Sequence, residues 1–169
     1  MGKAEQKIIP HRYQVVPRTL CFITHGNDVL LLHGASDKRI WADKVNGVGG
    51  HIEAHEDVYT AARREIEEET GLEVRDLRLC GVINIPVKAE ENQTGILLFV
   101  FSGEAHTRDV RHSNEGRLEW VSQDELDALP LVEDLPIIVP KALSMGERDA
   151  PFYALYEYDE DDQLIITFA

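Results

Sequence analysis

The segment from Asp57 to Leu72 constrains this chain more than any other, because it sets carboxylates where a helix ordinarily sets leucine. Asp57 is placed to cap a first turn and Gly71 to stop a last one, so the pattern predicts a helix over Asp57–Thr70. On a wheel advancing about 100° per residue, Ala61, Ala62 and Leu72 gather within roughly 60° of Val58 and define a core-facing stripe. Glu65 and Glu69 fall within about 20° of its centre, one turn apart, and Glu68 lies on its edge. Desolvating several ionised carboxylates together costs several kcal/mol each, and their repulsion pushes some to protonate. Divalent cations remove the difficulty, and clustered hard oxygen donors suit Mg²⁺, with Mn²⁺ as a substitute. From the helix alone, a row of solvated acids at the edge of a sheet remains an open alternative.

The flanking sequence predicts what that helix packs on. Arg18–His25 and Val29–His33 are β-rich runs around the turn residues Gly26-Asn27-Asp28, which reads as a hairpin. Gly34–Lys44 is polar and reads as a loop. Lys44–Ile52 interleaves glycines with β-branched residues, the mark of a strand whose backbone something approaches closely. Val74–Val87 and Thr94–Glu104 read as strands around the polar turn Ala89–Gln93, and Leu118–Val121 as a short one. Ser122-Gln123-Asp124-Glu125 has the form of a capping box opening a short helix. Asp134–Met145 reads as a helix that tolerates Pro136 in its first turn, whereas Pro140 implies a kink or a late start. Phe152–Tyr158 and Gln163–Phe168 are strands around the acidic turn Asp159–Asp162. The expectation is one domain over residues 1–169, an α/β fold whose mixed sheet is covered on both faces.

Composition excludes several functions. With 43% apolar residues the chain can build a proper core, and no linker or repeat divides it. It carries 31 acidic against 17 basic side chains, a net charge of −14, and shows no basic stripe, which argues against a nucleic-acid partner. Cys21 and Cys80 each sit in a strand-like apolar run, have no metal-ligand spacing, and read as buried free thiols in a reducing compartment. No stretch approaches a membrane span, and the N-terminus has no apolar leader, so a cytoplasmic protein without a membrane partner is expected.

From Gly50 the sequence reads Gly50-x5-Glu56-x7-Arg64-Glu65-Ile66-x-Glu68-Glu69-x-Gly71-Leu72. This resembles the box of the Nudix hydrolase superfamily at every defined position, a match whose chance per window is on the order of 10⁻⁷. The resemblance extends from Thr19 to Phe168, although only the box, residues 50–72, is highly specific. It implies a Nudix-type α/β/α sandwich and water attack on a phosphorus of a nucleoside diphosphate linked to another group. It implies further that Glu65, Glu68 and Glu69 bind the metals, one of them also deprotonating the water. Glu56 and Gly50 would support that cluster, and Arg64 would orient a carboxylate through its planar fork of donors. Glu115, five residues before Trp120, falls where family members carry a further metal-binding or catalytic acid.

The substrate is implied by the same route. Asn46-Gly47-Val48-Gly49-Gly50 looks like the segment before the box in the MutT-like 8-oxo-dGTP diphosphatases, whose matching Asn contacts the purine. Glu133-Asp134 falls where related enzymes carry paired acids that read the purine edge. An acid with a raised pKa donates a hydrogen bond, so such a pair accommodates different purine tautomers. Arg39 and Lys44 are candidates to neutralise substrate phosphate. Two departures stand out: Leu131 replaces an aromatic residue of some relatives, and Pro86 lies about one residue from the marker proline of ADP-ribose hydrolases. His51 and His55 are four apart but in a loop, where helical zinc geometry does not hold, and Trp41 and Trp120 read as packing residues. The expected protein is a Mg²⁺-dependent nucleoside triphosphate diphosphatase acting on oxidised purine dNTPs, its partner a small nucleotide. The alternatives are a hydrolase of ADP-ribose, a dinucleotide or a nucleotide sugar and, in another class, a nucleotide sensor without turnover.

Overall fold

The computed structural model describes residues 9, 11–34, 44–87, 94–113 and 116–169. Arg39, Trp41 and Glu115, with the turn Ala89–Gln93, lie outside the described residues.

The first hairpin forms as its sequence dictates. β1 (Gln14–His25) and β2 (Asp28–Gly34) pair antiparallel with His25 opposite Asp28. The two-residue turn between them opens on Gly26 at φ 62°, the left-handed value that glycine adopts without steric cost. Alternation along β1 then decides both cores. Leu20 and Phe22 enter one buried cluster with Ile138 and Val139, while Cys21 and Ile23 enter another with Ala62 and Ile66. β1 also pairs parallel with β5 (Thr94–Ala105) over its whole length. β5 is antiparallel to β4 (Val74–Val87), β4 is parallel to β7 (Phe152–Tyr158), and β7 is antiparallel to β8 (Leu164–Phe168). With β3 (Val45–Asn46) and β6 (Gly116–Ser122), the strands make one eight-stranded mixed sheet in the order β3-β2-β1-β5-β4-β7-β8, with β6 on β2.

One helix seals each face, so the layers are those of an α/β/α sandwich. α1 (Val58–Thr70) is capped by Asp57, whose carboxylate accepts from the Tyr59 and Thr60 N–H groups, and ends at Gly71 with φ 74°. Its buried residues are Ala61, Ala62, Ile66 and Thr70. The buried stripe expected around Val58 therefore extends on to Ile66 and Thr70, and Glu65 and Glu69, which fall between buried Ala61 and Ala62 on the wheel, are half-buried. α2 (Leu135–Leu143) buries Leu135, Ile138, Val139 and Ala142 on the other face. It starts at the expected place and runs through Pro140, which forgoes a single backbone bond in a nine-residue helix. The short helix after Ser122 is 3₁₀, Gln123–Ala128, and its cap bond reaches Asp124 N rather than completing the box with Glu125. Among the described residues no helix is long and apolar enough to cross a membrane.

The sheet's irregularity places the site. β6 occupies one edge of β2 along its length, so β1 and β3 must share the other, β1 at Val29–Leu30 and β3 at Leu32–His33. Beyond Leu30 the two strands part, and residues 45–51 enter as a wedge, bridging Val48 to Cys21 and His51 to Arg18. Glycines make the wedge thin enough. Gly49 has φ 149°, and a Cβ there would lie 2.3 Å from the Thr19 carbonyl oxygen. Gly49→Ala is expected to destabilise the fold by at least about 2 kcal/mol, since both the backbone angle and the space oppose a methyl group. Urea unfolding measures this, and an unchanged midpoint would contradict the close approach.

Candidate active site

The wedge and the N-terminal loop of α1 bring the box residues together. Gly50 lies against Glu65, so closely that a Cβ would fall 2.6 Å from Oε1. The Gly50 N–H donates to Thr19 Oγ1 at 3.3 Å, and the Gly49 N–H to Glu69 Oε2 at 3.2 Å. Bare backbone thus faces two carboxylates, which is what glycine at these positions permits.

Arg64 organises the rest. Its Nε and Nη2 grip Glu56 at 3.0 and 2.6 Å, and Nη1 bridges Glu65 Oε1 at 2.9 Å and Glu68 Oε2 at 3.1 Å. Nη2 also donates to the His51 carbonyl at 3.1 Å, tying the helix to the wedge. A planar fork spreads over three acids in this way where a lysine ammonium would reach one or two. The guanidinium, with help from the Glu53 N–H, holds the Glu56 carboxyl below its ordinary range. Glu68 is the most exposed of the three acids that Arg64 holds, at 62% of its side chain, and turns toward Arg64 from outside.

A cleft of about 1380 Å³ opens beside this cluster. Gly50, Glu65 and Glu69 line it at one end, and Asn46, Lys44, Leu131, Glu133 and Asp134 line it elsewhere. Of the box candidates, Gly50, Glu65 and Glu69 therefore share one cavity with those before and after the box, while Glu56, Arg64 and Glu68 stand outside its lining. The segment 130–132 explains how: Val45 N donates to the Pro130 carbonyl and Val132 N to the Val45 carbonyl, so this segment hangs from β3 and carries Glu133 and Asp134 over the sheet. Asn46 Oδ1 accepts from the Gly47 N–H at 2.8 Å, and Glu133 Oε1 from the Leu164 N–H at 3.2 Å.

Asp134 stands at the start of α2 but makes no side-chain cap bond, leaving its carboxyl for the cleft. It is buried, and Tyr156 donates its hydroxyl to Oδ2 at 2.9 Å. Burial pushes the carboxyl above its ordinary value against the opposing pull of Tyr156, and the nearby Glu133 charge adds to the rise. A carboxyl whose folded pKa exceeds its unfolded one disfavours folding once ionised. Its contribution to stability therefore falls as pH rises from about 4, the ordinary Asp value, through the raised folded value. Asp134→Asn keeps an acceptor for Tyr156 and abolishes the ionisation, so its Tm relative to wild type is expected to climb across that window. Melting curves at stepped pH read this, and a constant difference would contradict it.

Other candidates fall elsewhere. Trp120 packs against His25 and Arg108 and donates to the Arg108 carbonyl, away from the cleft. Cys21 and Cys80 are buried free thiols, and burial pushes the Cys21 thiol up. Pro86 lines the cleft, and of the two loop histidines His51 does as well. Sequence reading overlooked Tyr156 and Arg18, both on the cleft wall. Tyr156 gave no signal beyond strand alternation, and Arg18 was visible only as a charged residue inside an apolar run.

Among the described residues, no three Asp, Glu, His or Cys side chains converge so as to hold a cation, and the positive charge between the box acids belongs to Arg64. The donor set is nonetheless that of a hard divalent ion: carboxylates only, two on the cleft wall, with bare glycine backbone opposite.

An acid-bearing helix clamped to a glycine wedge in a two-faced mixed sheet defines a class, and the comparisons agree on it. The NUDIX domain model matches residues 15–142, and the chain belongs to the Nudix family, as a hydrolase of nucleotide phosphoanhydrides in its MutT-like branch. The chain is 28% identical over 132 residues to the oxidised purine nucleoside triphosphate hydrolase of Danio rerio, covering 76% of this chain and 82% of that protein. It is 30% identical over 121 residues to the NAD-capped RNA hydrolase NudC of Pseudomonas aeruginosa, covering 71% of this chain but 41% of that one. Among solved structures, a MutT protein of Bacillus halodurans superposes with a TM-score of 0.75 at 28% identity, covering 90% of this chain and 97% of the other. Nudix hydrolases generally use divalent cations.

Proposed function

We propose that this Nudix hydrolase is a Mg²⁺-dependent nucleoside triphosphate diphosphatase of the cytoplasmic nucleotide pool. Its substrates would be oxidised purine dNTPs such as 8-oxo-dGTP, and its products the monophosphate and pyrophosphate. The observation that carries this reading is the sharing of one cleft by Glu65 and Glu69 with Asn46, Glu133 and a buried Asp134 whose carboxyl titrates high. Burial favours the neutral form of this carboxyl, and a neutral carboxyl donates as well as accepts, which suits a purine edge whose pattern oxidation has altered. The name of the Danio rerio relative points the same way.

Glu65, Glu68 and Glu69 would hold the cation, supported by Glu56 and the Gly50 backbone. When bound, the ion supplies positive charge to the non-bridging phosphate oxygens and acidifies the attacking water. One box glutamate takes the water's proton, and Arg64 positions Glu65 and Glu68 for their parts. Lys44, on the cleft wall, neutralises phosphate. Glu115 and Arg39 join the proposal from the sequence alone, as a further acid and a further phosphate contact.

ADP-ribose, dinucleotides and nucleotide sugars form the second reading, favoured by Pro86 on the cleft wall. The deciding measurement is kcat/KM for 8-oxo-dGTP, dGTP and ADP-ribose with Mg²⁺, separating pyrophosphate from phosphate release. Asn46→Ala is expected to lower kcat/KM for purine triphosphates by about tenfold to several hundredfold and to narrow the preference for 8-oxo-dGTP over dGTP. Wild-type preference for ADP-ribose, or unchanged discrimination in the variant, would reject this substrate. Tight nucleotide binding without any turnover would mark a sensor instead.

A further inference from the structure

Arg64 is gripped by three glutamates. Arg18 lines the cleft and, among the described residues, its Nε is buried with no hydrogen-bond acceptor. A desolvated N–H left unpaired is costly, and such groups in folded proteins have a reason to be there. Its place in the fold indicates the acceptor. Arg18 bridges His51 across the opening of the sheet, one residue from Gly50, whose backbone touches Glu65. From β1 to β7, where Tyr156 holds Asp134, the order β1-β5-β4-β7 counts three strand spacings, about 14 Å. The cleft's cations Arg18 and Lys44 line it together with the acids Glu53, Glu65 and Glu69, and Glu133, Asp134, Glu157 and Asp162 line it as well.

We propose that Arg18 is a substrate-contacting residue that receives a phosphate of the bound nucleotide, its guanidinium fork closing on two non-bridging oxygens. The assignment rests on the nucleotide-hydrolase reading but not on which base is preferred. Guanidinium and phosphate match in charge and in donor spacing. The arrangement adds a base-independent anchor beside the box, so that the far acids read the base of a nucleotide already held by its tail.

The test uses ligands that separate tail from base. Methylene diphosphonate, a diphosphate mimic that resists hydrolysis, and 2′-deoxyguanosine are titrated calorimetrically into wild type, Arg18→Gln and Arg18→Lys in Mg²⁺, with Tm recorded for each. Arg18→Gln is expected to bind the diphosphonate about tenfold to a hundredfold more weakly at unchanged Tm, and the nucleoside as wild type does. Arg18→Lys, which keeps the charge but not the fork, should fall between the two. Diphosphonate affinity unchanged in Arg18→Gln, or absent in wild type, overturns the proposal. So do equal losses for nucleoside and diphosphonate, which would place Arg18 at the base, and equal losses in the Gln and Lys variants. Because the diphosphonate carries no base, the result is independent of whether 8-oxo-dGTP proves to be the substrate.

Discussion

Glu69→Gln is expected to lower kcat by at least about a hundredfold while the protein stays folded. Glu69 stands half-buried on the cleft wall, where its Oε2 accepts from the Gly49 N–H. Glutamine has the same length and retains an oxygen for that bond, so the wedge keeps its contact with α1. What disappears is a negative charge on the cleft wall, which under the proposed function serves cation binding or proton removal. Loss of one charge-stabilising element of this kind costs two orders of magnitude or more in kcat. Removing one of several repelling carboxylates relieves rather than strains the apo protein, so Tm should hold or rise. The comparison is kcat on a verified nucleotide in saturating Mg²⁺, beside melting curves. Undiminished turnover, with Glu68→Gln equally active, would take these acids out of the chemistry.

Arg64→Ala is expected to cost about a hundredfold in kcat/KM as well, by a different route. No atom of Arg64 needs to touch the substrate. Its five N–H donors fix Glu56, Glu65, Glu68 and the His51 carbonyl relative to one another. Truncation frees three carboxylates to repel and swing apart, and a displacement of about 1 Å at catalytic groups is enough for a loss of that size. Glu56 should then titrate nearer its ordinary value, since Arg64 is the main cause of its depression. Unlike Glu69→Gln, this variant should also melt lower, because the helix loses its tie to the wedge. Arg64→Lys restores one positive charge without the fork and should recover activity only partly. Full activity in the lysine variant would show that charge alone suffices.

The elements that sequence reading placed well are those whose signals are local. Asp57 and Gly71 mark the ends of α1 because a cap and a left-handed residue act within one turn. β1 declares its burial on both faces through an unbroken apolar run, and the box declares itself by spacing. What escaped depends on distant chain segments. The buried side of α1 extends past Val58 to Ile66 and Thr70, and Glu65 and Glu69 within it meet the wedge, which exists only once β1 and β2 part. Tyr156 looks like any inward residue of a late strand until Asp134 is carried to it from β3. Ser122 caps as expected, but the six residues it opens are too few to settle between 3₁₀ and α geometry without their tertiary contacts.

The hanging of residues 130–132 from β3 by two backbone bonds has an evolutionary consequence. Main-chain bonds are indifferent to side chains, so the two that hold residues 130–132 to β3 do not themselves depend on which side chains stand at 131, 133 and 134. The box residues sit on α1 and the wedge, with their own clamp in Arg64. Under the proposed function, substrate preference and reaction chemistry would be inherited on separate chain segments, and drift in the first would leave the second intact. Relatives of similar identity to this chain can then bear names as unlike as oxidised purine triphosphate hydrolase and NAD-capped RNA hydrolase. In such a lineage the handful of residues that the hanging segment presents would say more about diet than identity over the whole chain does.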